Sequence, residues 1–145
     1  MTPITDFAIL LGLVAAATAL GLLWRATTGR VRSIRGNDDT VIRVSELSAD
    51  AVAGRAATLL QFSTEVCAPC ATTHALLDGL ARELDDVRHV DVDVTSRPEI
   101  ASRFNLLQSP TTFILDATGV VRARIGGAPR PAEVRAALDR IRSAA

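Results

Sequence analysis

From Ile4 to Trp24 the chain reads ITDFAILLGLVAAATALGLLW, with Asp6 as its one charge, near the start. A helix packed on the core of a domain this small keeps a polar face towards water; this run has none. At about 1.5 Å per residue it extends about 30 Å, the thickness of a bilayer core. Trp24 stands where an interfacial anchor belongs, and Arg25 follows at once. A cleaved signal peptide needs a basic start, a shorter apolar stretch and a small-residue cleavage site. Here the start, MTPITDF, has no basic residue, and the apolar run ends in Leu-Leu-Trp-Arg. The expectation is an uncleaved single-pass anchor over residues 1–25.

The flanks carry an orientation. Arg25, Arg30, Arg32 and Arg35 follow the run, and nothing basic precedes it. The positive-inside rule then places the rest of the chain in the cytoplasm, with an extracytoplasmic domain as the alternative. Residues 26–39 (ATTGRVRSIRGNDD) are polar and poor in apolar side chains, so an Arg-rich linker is expected there. The formal net charge of +0 lacks the basic excess of a nucleic-acid binder. The sixteen basic residues are all Arg, even at ordinary surface sites, which reads as codon bias.

Residues 40–145 alternate between strand and helix patterns. TVIRV (40–44) reads as a short strand, and Ser45 as the N-cap of a short helix through Val52. Ala57 to Phe62 is a compact apolar run suited to a buried strand. Leu76, Leu77, Leu80, Ala81 and Leu84 recur at helical spacing. Val90 onward alternates as a strand, and Pro98 opens a short helix. Thr111–Leu115 and Val120–Ile125 flank an Asp-Ala-Thr-Gly turn, as a hairpin does. An amphipathic helix from Pro131 to Ile141 closes the pattern. Such alternation predicts an α/β domain: a mixed central sheet flanked by helices, with the hairpin as its antiparallel part.

The chain has two cysteines, Cys67 and Cys70. A bond between them closes too small a loop to act as a structural staple, so their spacing calls for reactivity or metal. They stand where a buried strand gives way to a helix, the context of a redox C-x-x-C. A helix start offers free N–H groups and a partial positive charge, and both favour a thiolate. Cys67 is expected to be the exposed nucleophile and Cys70 the shielded resolving thiol; Pro69 fits the first helical turn. His74 shares a helix face with Cys70. Cys67, Cys70 and His74 make three ligands where a structural zinc site wants four, with His89 the other histidine. A thiolate–imidazole copper site is the remaining metal alternative. Ala71 after Cys70 excludes a haem attachment. No metal and no cofactor beyond a redox-active Cys67–Cys70 disulfide is expected.

Four landmarks in order resemble the thioredoxin superfamily over about residues 40–145: the strand LLQFS, Cys67-Ala68-Pro69-Cys70, Gln108-Ser109-Pro110-Thr111, and Ile125-Gly126. With its anchor, the arrangement is similar to small membrane-tethered thioredoxin-like proteins of actinobacteria. The resemblance implies a thioredoxin-like fold and a cis Ser109–Pro110 bond facing the cysteines. It also implies a substrate groove formed by Ser109, Pro110 and Gly126, continuing along Gly127. The chain departs from the family pattern: Val66 replaces the usual Trp, Ala68 the usual Gly, and Ala71 a basic residue. Gln61 stands where members carry a buried Asp that helps deprotonate the resolving thiol. Glu65 and His74 are therefore candidate proton-transfer helpers.

The function expected is a membrane-tethered thiol–disulfide oxidoreductase, reductive in direction. Its partners would be protein disulfide or dithiol substrates, an upstream reductant and the membrane, with a membrane protein as a further candidate and no nucleic acid. The alternatives are a thioredoxin-fold interaction subunit, or a copper or sulfur carrier serving a membrane complex.

Overall fold

The computed structural model describes residues 3–33 and 40–144. Helix α1 (Pro3–Thr27) leads into strand β1 (Val31–Ser33), followed by β2 (Ala57–Ser63), α2 (Ala68–Arg82), β3 (Val87–Asp93) and α3 (Pro98–Arg103). Then come β4 (Thr111–Asp116), β5 (Val121–Gly126) and α4 (Pro131–Arg142). One mixed sheet has the order β1-β5-β4-β2-β3; β2 and β3 are parallel and every other pair is antiparallel.

Strand β2 is apolar on both sides because both sides are covered. Leu60 and Phe62 point into one cluster with Val90, Val92, Ile100, Phe104, Phe113 and Leu115. Phe62, Phe104 and Phe113 pack there with ring centroids 5.3–6.0 Å apart. Ala57 and Leu59 point to the other face, against Leu77 and Leu80 of α2 and Val134 and Leu138 of α4. Each such fully buried aliphatic side chain contributes about 1.5–3 kcal/mol.

Helix α1 differs in kind. Its Asp6–Trp24 portion is 19 residues, long and apolar enough to cross a membrane, and none of it is buried against the domain. A signal sequence passes the same test of length and composition.

Two expectations on local structure are corrected. Residues 40–44 form no strand: Val41 makes a single bridge to Val120, and the expected helix after Ser45 is one 3-10 turn, Val44–Glu46. Ile42, Val44 and Leu47 are all buried, so this stretch serves as a lid on the core, and its apolar spacing answers to that role. Within the expected linker, Val31–Ser33 pairs with Ala123–Ile125 as an edge strand. Residues 34–39, including Arg35, lie outside the described residues.

Candidate active site

The sheet register gathers the site at one end. Phe62 pairs with Thr111, and Thr111 with Gly126, so the end of β2, the start of β4 and the end of β5 lie side by side. From the end of β2 the chain passes through Thr64, Glu65 and Val66 to Cys67. That loop is held from β3: the Glu65 N–H donates to Thr95 Oγ1 (2.8 Å), and the Thr95 hydroxyl donates to Asp93 Oδ1 (2.6 Å). The Thr95 hydroxyl and amide hold the Asp93 carboxyl below the usual carboxylate range.

Cys67 is the N-cap of α2, with extended backbone, and Pro69 lies in the first turn, where its missing N–H is not needed. The Cys70 N–H donates to the Cys67 carbonyl (3.1 Å), and the two sulfurs form a disulfide with Cα atoms 5.4 Å apart. Cys67 is part-exposed, whereas Cys70 is only 6% exposed. Attack from outside therefore reaches Cys67 Sγ first. Val66, 96% exposed, supplies an apolar flank in place of an aromatic one, and Leu107 is exposed to 81% on the loop before Pro110.

The Ser109–Pro110 bond is cis and Pro110 is buried. The Gly127 N–H donates to the Pro110 carbonyl (2.8 Å), tying the β5 end to this loop. Gln108 lies across Gly126: a Cβ there would run into the Gln108 side-chain amide. The Gly126 carbonyl accepts from the Gly29 N–H (2.9 Å), so it is already engaged within the chain. A separate cleft of about 630 Å³, lined by Ser33, Asp116, Thr118, Arg122 and Arg140, lies at the opposite end of the sheet.

Behind Cys70 is a polar chain that the sequence indicated only in part. Gln61 is fully buried; its Nε2 donates to the Cys70 carbonyl (3.2 Å), leaving Oε1 to accept from His89 Nε2 (3.2 Å). His89 in turn lies against His74, ring centroids 4.8 Å apart. Burial pushes the His89 imidazole down to about 4, reinforced by His74 and opposed by Asp91 and Asp78. At neutral pH the ring is uncharged, with its proton on Nε2. The position where the resemblance implies a buried acid is thus filled by Gln61, paired with a neutral His89. From the sequence alone, His89 stands out only as the other histidine beside the candidate ligand set. Its signal was register: it lies opposite Leu59 on the parallel neighbour, one diagonal step from Gln61 on the same face. Glu65 and His74 are both exposed, Glu65 ahead of Cys67 and His74 at the outer end of this chain. Among the described residues, no three His, Cys, Asp or Glu side chains gather to hold a metal.

The thioredoxin family model matches residues 41–140. The chain belongs to the thioredoxin family. It is similar to Thioredoxin C-2 of Corynebacterium nephridii, 30% identical over 94 residues, 63% of this chain and 87% of the relative. Thioredoxin H2 of Arabidopsis thaliana is 33% identical over 72 residues, where the chain spans only 53% of that relative and 50% of itself is covered. Among solved structures it is similar to thioredoxin from Trypanosoma brucei brucei, with TM-score 0.55, 26% identity, and coverage of 76% of this chain and 97% of that one. Family membership and the disulfide together make the Cys67–Cys70 pair a thiol–disulfide exchange centre, with the disulfide itself as the redox group.

Proposed function

We propose that this chain is a membrane-anchored reductant of protein disulfides. The observation that carries it is the asymmetry of the pair: Cys67 is accessible at a helix N-cap, while Cys70 is shielded one turn in. In the reduced protein the Cys67 thiolate attacks a substrate disulfide. A mixed disulfide forms and one substrate thiolate leaves. The Cys70 thiolate then attacks Cys67 Sγ, the second substrate thiolate leaves, and two electrons have passed to the substrate. A dithiol reductant must return the Cys67–Cys70 disulfide to the thiols. Ser109, on the loop that enters β4 at the same end of the sheet, offers its backbone to an extended substrate segment, Pro110 and Gly126 shape that groove, and Glu65 and His74 are the groups able to carry the resolving proton.

The apolar α1 span and the Arg residues after it support a single-pass anchor with the domain in the cytoplasm, where a reductive direction fits. Trapping tests the function: Cys70→Ser should accumulate mixed disulfides through Cys67, and Cys67→Ser should not. No adducts from Cys70→Ser would favour an interaction subunit, a reading that the replacement of the family acid by Gln61 supports. Copper bound stoichiometrically after anaerobic purification would favour the carrier. Labelling of Cys67 in intact cells by an impermeant thiol reagent would reverse the orientation.

A further inference from the structure

The join between helix and domain has no slack. Only Thr28, Gly29 and Arg30 separate the end of α1 from β1. The Thr28 N–H and hydroxyl both donate to the Trp24 carbonyl (3.1 and 2.9 Å), closing the helix. Gly29 follows at φ +77°, packed so that a Cβ would strike the Ala128 carbonyl. Its N–H donates to the Gly126 carbonyl, and a Cβ on Gly127 would meet Thr28 Cγ2 at 2.7 Å. Arg130 Nη2 donates to the Ala26 carbonyl (3.3 Å), and Glu133 Oε2 accepts from the Val31 N–H (2.9 Å). The last helical turn is therefore seated on the β5–α4 loop.

That loop is at the active-site end. Val31 pairs with Ile125 in an antiparallel register, so β1 starts where β5 finishes. Gly126 is level with Thr111, which follows Pro110, and with Phe62, from which the chain runs to Cys67. Three strand spacings, about 15 Å, separate β1 from β2. Thr28 lies about 6 Å along the helix from Trp24, the residue placed at the interface.

We infer that the thiol pair is held facing the bilayer at a fixed, low height, so that its substrate is a disulfide on a membrane protein close to the lipid surface. This rests on the reading of α1 as a membrane span. A soluble disulfide protein would have to enter between groove and headgroups. A loop emerging from the bilayer beside α1 meets Cys67 directly.

The test uses the full chain in phosphatidylcholine–phosphatidylglycerol vesicles with an energy-transfer acceptor on the headgroups of both leaflets. A donor is placed on Cys67 in Cys70→Ser, or at the far end of the sheet on Ala117→Cys in a Cys67→Ser/Cys70→Ser background. Flotation and resistance to carbonate extraction come first; a chain that fails them overturns the membrane-span reading itself, and this inference with it. In a chain that passes, the donor on Cys67 should lie nearer the headgroups than the one at 117 by about 20 Å, the length of a six-residue strand. Equal or reversed heights overturn the inference and leave the anchor intact. A Gly/Ser insertion between Thr27 and Thr28 should erase the difference; its persistence would show that the join does not set the orientation. A lipid-linked disulfide peptide on a short spacer should be reduced by the native chain about threefold or more faster than one on a long spacer. The inserted variant should lose that preference, and equal rates in the native chain overturn the substrate assignment.

Discussion

At the residue scale, His89 gives the protein a titration in the mildly acidic range. The unfolded imidazole takes its proton near 6.5 and the folded one near 4, so the unfolded state binds more protons between these values. Stability is complete above about 6.5, falls as pH drops through that window, and this component is exhausted near 4. With solvent screening at a half-buried site, the loss is about 1–2 kcal/mol. His89→Gln should flatten it, measured by denaturant midpoints across pH; an unchanged slope would take His89 out of the account. Gly126 makes a second point. In Gly126→Ala the new methyl collides with the Gln108 amide, the mobile end of an exposed side chain, so the fold should lose less than about 1 kcal/mol. The displaced amide should obstruct the groove and slow exchange with a disulfide peptide by about tenfold. Gln108→Ala combined with Gly126→Ala should recover most of that rate, a rescue that simple misfolding would not give.

At the scale of elements, the loop carrying Cys67 is held by a neighbour rather than by its own sequence. Thr95→Val keeps the shape but removes both the acceptor for the Glu65 N–H and the donor to Asp93. About 1 kcal/mol should be lost. Faster hydrogen exchange at the Glu65 amide, with exchange elsewhere in β2 unchanged, is the expected signature. The legible elements were those whose burial sets a period. Strand β2 reads as a compact, mostly apolar run because helices cover both faces, and Pro98 and Pro131 mark helix starts that the structure also places there. The stretch around Ile42 and Val44 misled because alternating burial looks like a strand even when a single bridge is all the pairing available. Strand β1 was illegible: Val31-Arg32-Ser33 is short and polar, and its pairing is set by β5, about ninety residues away. The site divides the same way. The cysteines announce themselves by spacing and context, whereas the Gln61–His89 contact needs the parallel register of β2 and β3 before it can be seen.

At the scale of the whole molecule, one side chain joins α1, edge strand and closing helix. Glu133 accepts from the Val31 N–H through Oε2 and from Arg130 Nη1 through Oε1 (3.2 Å), and Arg130 also reaches the Ala26 carbonyl. It lies in the first turn of α4, where a carboxylate is favoured by the helix dipole. Losing it should free the join without melting the core, since β1 is a three-residue edge strand whose Val31 packs against the core as a partly buried residue, while the fully buried members are held by β2, β3, β4, β5, α2 and α4. Glu133→Ala should therefore raise the rate of tryptic cleavage after Arg30 or Arg32 by about tenfold, because cleavage follows the population of the locally opened form. The thermal midpoint should move by only a few degrees, about what 1 kcal/mol produces in a domain of this size. Glu133→Gln, which keeps an acceptor for Val31, should fall between the native chain and the alanine variant. Equal cleavage of all three would mean that the backbone bond between Gly29 and Gly126 holds the join by itself.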